Sequence, residues 1–141
     1  MIREYCESDL AELLDAWHQA SLVAHPFLDD AFLASERRNI PELYLPNAET
    51  WVYEQAGRVV GFIAMIGNEV GAIFVLPQLH GQGVGQALMN CARERRDGLE
   101  VQVFKKNQIG RRFYSLYGFK EVSESVHEAS GHEIILMKLQ K

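Results

Sequence analysis

Apolar positions recur every three to four residues near the start of the chain and every second residue further on, and that change of period divides it into elements. Leu10, Leu13, Leu14, Trp17 and then Ser21 or Ala24 fall on one side of a 3.6-residue repeat, which predicts a helix over residues 7–24 with Ser8 as its N-cap. A short strand over residues 1–5 precedes it. His25-Pro26-Phe27 ends the helix, because the residue before a proline avoids the α region. A second helix is expected over residues 30–44, interrupted at Pro41. From Glu49 the pattern is strand-like. Runs at 51–55 and 59–66 flank Ala56-Gly57-Arg58 as a hairpin, and a third strand over 69–76 follows a turn at Asn68. A helix over 84–96 sets Val84, Leu88, Cys91 and the stem of Arg95 on one side. A strand over 99–104 leads to a helix over 108–117, for which Gly118 is a suitable C′ residue, and strands over 119–126 and 132–138 close the chain as a hairpin. In the last helix Ile109, Phe113 and Leu116 form the stripe expected to be buried, with Tyr114 pointing elsewhere.

This order describes one α/β domain spanning residues 1–141, with a mixed, largely antiparallel sheet. No linker, repeat or low-complexity segment interrupts it. No apolar run approaches the roughly 18 residues of a membrane span, and the start Met1-Ile2-Arg3-Glu4-Tyr5-Cys6-Glu7 carries acidic residues and no hydrophobic signal core, so a cytoplasmic protein is expected. Two cysteines, Cys6 and Cys91, make no disulfide framework and with the five histidines show no close ligand pairs of a zinc site. Cys91 falls on the buried side of its helix, which argues against a nucleophile. A net charge of −5 argues against nucleic acid as the main partner and favours encounter with a cationic substrate.

Chemistry is concentrated in His80-Gly81-Gln82-Gly83-Val84-Gly85-Gln86, where a strand passes through a glycine-rich turn into a helix. Glycines let the backbone come close to an anion, and the helix start behind them supplies unpaired N–H groups at the positive end of its dipole. Such a turn holds a phosphate or pyrophosphate. No GK[ST] follows, which excludes the P-loop. The dinucleotide fingerprint fits poorly, since its third glycine, counted from Gly81, would fall at Gln86.

The second informative run is Asn107-Gln108-Ile109-Gly110-Arg111-Arg112-Phe113-Tyr114-Ser115-Leu116-Tyr117-Gly118-Phe119. Together the two runs resemble the motifs of the GNAT superfamily of acyl-CoA-dependent N-acetyltransferases. The first matches at His80 to Gly85, with His80 in place of glutamine or arginine. The second matches at Asn107, Phe113, Tyr114, Gly118 and Phe119, with Gly110 in place of alanine. The resemblance covers essentially the whole chain. His25-Pro26-Phe27, the run from Tyr44 to Val52 and Lys106-Asn107-Gln108 further resemble YiaC-type bacterial acetyltransferases, a subgroup associated with protein lysines.

The resemblance implies a GNAT fold of six or seven strands flanked by about four helices, with acetyl-CoA as co-substrate and no metal. It implies that the amides of Gly81, Gln82, Gly83, Val84, Gly85 and Gln86 bind the pyrophosphate, next to His80. Phe74 and Val75 would pair with the pantetheine arm, the Val75 amide polarising the thioester carbonyl. Asn107 would contact the same arm, reading equally as the N-cap of its helix with both roles compatible, and Tyr114 would donate a proton to the departing thiolate. For the base, Glu69 lies six residues before Val75, hence on the same strand face by alternation. His25 is a second candidate and a water relay a third. Lys105, Lys106, Arg111 and Arg112 read equally as a solvated face or as partners of a cofactor phosphate, and Asp29 and Asp30 as helix caps or as attractors of a cationic acceptor. The acceptor implied first is a protein lysine. A polyamine, an aminoglycoside, an amino acid and a non-catalytic acyl-CoA-binding module stay open, as does the choice of monomer or homodimer.

Overall fold

The computed structural model describes residues 1–140. Seven strands form one sheet: β1 (Ile2–Glu4), β2 (Glu49–Gln55), β3 (Arg58–Ile66), β4 (Glu69–Val75), β5 (Gly98–Phe104), β6 (Lys120–Val126) and β7 (Glu133–Gln140), in the spatial order β1-β2-β3-β4-β5-β7-β6. Every neighbouring pair is antiparallel except β4 with β5. Four helices cover the sheet: α1 (Leu10–Ala24), α2 (Asp30–Asn39), α3 (Val84–Arg93) and α4 (Gln108–Tyr117). None of the described helices is long and apolar enough to cross a membrane.

The near-continuous apolar run of β3 explains its central place, since a strand buried on both faces needs no polar alternation. On one face Val60, Ile63 and Met65 pack with Val84, Leu88 and Met89 of α3 and Tyr114 of α4. On the other, Val59 and Phe62 pack with Leu13 and Trp17 of α1 and Leu33 of α2. Each such side chain contributes roughly 1.5–3 kcal/mol when fully buried. Strand β6 is exposed throughout, and its charges at Lys120, Glu121 and Glu124 suit an outer edge.

The order of elements agrees with the sequence reading, and the departures have local causes. A 3-10 turn over Glu7–Asp9 precedes α1, so Asp9 rather than Ser8 stands at the N-cap position of α1, without a side-chain cap bond to that helix. Its carboxylate accepts the Cys6 amide at 2.9 Å and the two terminal guanidinium nitrogens of Arg3, at 2.8 and 2.9 Å. Helix α2 stops at Asn39, and the chain continues as a π-type turn over Ile40–Tyr44 and a 3-10 turn over Leu45–Asn47. Pro41 therefore marks the interruption, as its missing N–H requires. In α4 the expected stripe holds at Phe113 and fails at Ile109 and Leu116. Tyr114 is 8% exposed, while Ile109 is 44% and Leu116 76% exposed. Phe113, Tyr114 and Tyr117 pack on the core instead, and Ile109 and Leu116 stand at the wall of an open cleft.

Arg3 also reaches Glu54 of β2 at 2.8 Å, so one cluster fastens the first strand, the first turn and the second strand. The pair with Arg3 holds the buried Asp9 carboxyl down from 3.8 to about 2. A depressed carboxyl contributes stability that is present above its unfolded pKa and lost as pH falls through its folded one. Asp9→Asn is expected to cost about 1–3 kcal/mol in urea unfolding at pH 7. The gap between variant and wild type should narrow as pH falls from 3.8 toward 2, and a gap independent of pH would show that the charge is not what stabilises.

Candidate active site

Strands β4 and β5 pair over only two positions, Glu69 with Glu100 and Val70 with Val101. Each keeps its other neighbour along its length, β4 on β3 and β5 on β7. Beyond Val70 and Val101 the two strands part. The gap belongs to a cleft of about 800 Å³ whose walls come from both helical layers and include Leu28 and Leu33 on one side and Gly81, Gly83 and Phe113 on the other. The register of β3 on β4 shifts just there: Ala64 pairs with Ala72 and Met65 with Val70, which leaves Gly71 as the extra residue of a bulge.

The edge of β4 facing the gap carries free backbone groups. The Leu76 amide bonds Val60 O on β3 at 2.9 Å. Backbone groups of successive strand residues point to opposite sides, so the N–H and C=O of Val75 point away from β3. Its carbonyl accepts Nε2–H of His80 at 3.0 Å, and its amide remains open. His80 thus ties the turn to the end of the strand, using a side chain where the sequence motif only required a backbone.

In the turn, Gly81 and Gly83 have φ of +82° and +87°, and a Cβ built on either meets no protein atom within 4 Å. Left-handed backbone is what glycine adopts without strain. Gly83 is the N-cap of α3, and the first helical bond runs from the Ala87 amide to its carbonyl at 3.0 Å. The amides of Val84, Gly85 and Gln86 are left without helical acceptors. Gly85 has a separate reason to lack a side chain, since Phe113 of α4 lies 3.1 Å from where its Cβ would stand. The side chain of Val84 is buried in the core, and Gln82 is exposed and outside the cleft walls.

Tyr114 is buried at the cleft wall, and burial pushes its hydroxyl well above the ordinary phenol value. That hydroxyl has no hydrogen-bond partner among the described residues. Asn107 caps α4, its Oδ1 accepting the Gly110 amide at 2.8 Å. The amide orientation is thereby set, and Nδ2 faces Nε2 of His25 at 3.1 Å. An amide nitrogen only donates, so the His25 Nε2 is the unprotonated one and the proton sits on Nδ1. Gly110 belongs to the same arrangement, because a Cβ there would fall 2.5 Å from Asn107 Nδ2. His25 is buried, with the rings of Phe27, Phe74 and Phe104 edge-on at 5.8, 6.3 and 5.1 Å.

A family model for the acetyltransferase (GNAT) domain matches residues 46–121, more than half of the chain. The chain belongs to the GNAT acetyltransferase family. It is 34% identical over 120 residues to the peptidyl-lysine N-acetyltransferase YiaC of Escherichia coli (strain K12), over 84% of this chain and 82% of that one. It is 30% identical over 139 residues to the peptidyl-lysine N-acetyltransferase YjaB of Salmonella typhimurium (strain LT2), over 98% and 95% of the two. The solution structure of apo-form YjaB from Escherichia coli superposes with a TM-score of 0.88 at 25% identity, covering 99% of this chain and 96% of that one.

The GNAT cleft thus gathers His25, Phe74, Val75, His80, Gly81, Gly83, Gly85, Gln86, Asn107 and Tyr114. It does not gather Glu69. Alternation carried from Val75 back to Glu69 would put both on one face, but the bulge at Gly71 reverses it. Val70 and Val75 both face α3, while Ala72 and Phe74 face the opposite cluster. Glu69 therefore shares the second face, beside Glu100, and burial together with that neighbour raises its carboxyl. Of the four basic residues, Lys105 pairs with Glu124 at 2.9 Å, Arg111 with Glu121 at 3.0 Å, and Lys106 lies 5.7 Å over the ring of Phe27. Only Arg112 lines the cleft. Asp29 caps α2 through the Phe32 amide at 2.7 Å. The sequence reading missed the wall formed by Phe32, Glu36, Tyr44, Phe104 and His127. Tyr44 begins one of the runs that carried the resemblance. Glu36 lies beside Arg37 and Arg38, where it reads as part of a solvated face.

Burial lowers His25 from 6.5 to about 4. The folded state therefore holds a neutral ring through which stability falls as pH drops from 6.5 toward 4, since only the unfolded chain takes up the proton in that window. Nitrogen NMR of the histidine rings should show His25 as the Nδ1-protonated tautomer, titrating near pH 4. A midpoint above 6, or the other tautomer, would contradict the Asn107 contact.

Proposed function

We propose that this chain transfers the acetyl group of acetyl-CoA to the side-chain amine of a protein lysine, with the two substrates meeting where β4 and β5 part. The observation that carries this is the open edge of β4. The free amide of Val75 and the hydroxyl of Tyr114 belong to one cleft, with the unpaired amides of α3 at its end. Peptidyl-lysine activity is named for the two relatives, which supports lysine as the acceptor.

The residues fit acetyl-CoA. Gly81 and Gly83 leave space that no protein atom occupies, and the amides of Val84, Gly85 and Gln86 suit a pyrophosphate. Arg112 of α4 is the one lysine or arginine among the described walls of the cleft. Acetyl-CoA supplies an activated acetyl carbon on a sulfur that leaves as the thiol. Val75 N–H donates to the carbonyl oxygen as negative charge grows there, an interaction worth about 3 kcal/mol in comparable sites. The amine nitrogen forms the new C–N bond as the C–S bond breaks, Tyr114 gives its hydroxyl proton to the sulfur, and the second proton of the amine nitrogen leaves through the cleft water to solvent, from which the tyrosine is reprotonated. Its raised pKa keeps that proton in place beforehand.

The lysine ammonium must first lose a proton, and near pH 7 only about one amine in 10³ is neutral, a cost of roughly 4 kcal/mol. We assign this proton to water entering the open cleft. Glu69 is not among the walls of the cleft, and Nε2 of His25 already accepts from Asn107. His25 orients the acceptor through its Nδ1–H. We infer that residues 1–141 act as one domain in the cytoplasm, where an exposed free thiol such as Cys6 persists.

Titration calorimetry with acetyl-CoA and free CoA, followed by thiol release with lysine peptides, polyamines and aminoglycosides, tests this reading. Failure to bind either form would refute it. Tyr114→Phe should lower kcat by about 10²-fold with acetyl-CoA affinity within about twofold, and a parallel loss of both would remove the proton-donor role. Gly83→Val places a β-branched residue at φ +87° and should weaken CoA binding at least about tenfold. Unchanged affinity would mean that the turn is only a turn.

A further inference from the structure

The cleft is electrically sparse. Among its described walls Glu36 is the one carboxylate and Arg112 the one lysine or arginine. They stand on opposite layers, Glu36 on α2 and Arg112 on α4. Arg112 shares its layer with the glycine turn, the end suited to phosphates. Glu36 stands on the other side of the sheet, where Phe32, Leu33, Ile40 and Tyr44 surround the opening.

The state of Glu36 is unusual for a surface glutamate. It is half-buried, and its Oε1 accepts the hydroxyl of Tyr44 at 2.9 Å. Burial, and then the bond to Glu36, raise the Tyr44 hydroxyl above its ordinary value, so the proton belongs to tyrosine and the carboxylate is the acceptor. Glu36 forms no ion pair among the described residues, and Arg37 and Arg38 beside it are both exposed. A carboxylate set into an apolar wall and held by a neutral donor is short of a cation.

We propose that Glu36, oriented by Tyr44, is the residue that recognises the positive charge of the acceptor. The apolar wall takes the methylenes of an alkylamine, and the carboxylate draws in its ammonium before the proton is lost. Specificity for cationic primary amines then arises from one charge at the acceptor end, in a chain whose net charge of −5 already favours such encounters. This inference rests on the amine-acetylating reading above.

Glu36→Gln keeps an acceptor oxygen for Tyr44 and removes only the charge. The first probe is n-butylammonium against 1-butanol, titrated into the CoA-loaded protein and followed by NMR shifts of Phe104 and His127. Wild type should bind the ammonium at least about fivefold more tightly than the alcohol, and the variant should bind the two alike. A preference that survives in the variant, or is lacking in wild type, overturns the proposal. With a lysine peptide the variant should raise KM about tenfold while kcat and acetyl-CoA affinity stay within about twofold, and a loss in kcat alone would equally overturn it. If wild type turns over no amine at all, the acetyl-transfer reading fails, and the butylammonium titration still decides the role of Glu36.

Discussion

Two residues of parallel pairing, Glu69 with Glu100 and Val70 with Val101, join the two halves of this sheet. A longer ladder would close the gap and leave no free strand edge. A shorter one would leave the halves held by side chains alone. Pairing stops beside the bulge at Gly71, and each strand past that point stays paired with its other neighbour. Backbone groups that would ordinarily be satisfied by a sister strand stay available. An unpaired edge is usually a liability in a folded protein, and here the helices on either face shelter it within a cleft.

The same parting explains the contact between His25 and Asn107. His25 ends α1 in one helical layer and Asn107 starts α4 in the other, and they meet because the sheet between them is open. A buried histidine beside a buried asparagine would be costly if either lacked partners. Asn107 spends its oxygen on the helix cap and its nitrogen on the ring, so one side chain fixes both a helix start and a tautomer. Gly110 makes room for that geometry, which gives a physical reason for one of the two residues at which this chain departs from the family motifs.

Local signals were legible in the sequence, and relationships across the gap were not. The order of strands and helices, the break at Pro41, the glycine turn and the Asn107 cap all follow from short-range patterns, and the structure agrees with them. The face of Glu69 was misread because strand alternation assumes an unbroken register, and one extra residue at Gly71 reverses it. The stripe of α4 was misread because Ile109 and Leu116 are apolar for the sake of a cleft wall, whereas the core takes the aromatic side of Tyr114. Glu36 could not be found locally, since nothing in Glu36-Arg37-Arg38 says that its first member turns inward toward Tyr44.

A cleft with walls in both helical layers has a consequence for traffic. On the proposed reading the carrier and the acceptor would approach from opposite sides of the sheet, so neither would have to vacate a shared doorway for the other to arrive. Such an arrangement suits a ternary complex formed in either order. On the same reading a bulky partner would stay docked on the α1–α2 side while the spent carrier is exchanged behind it, so that one encounter would serve several residues of the same partner.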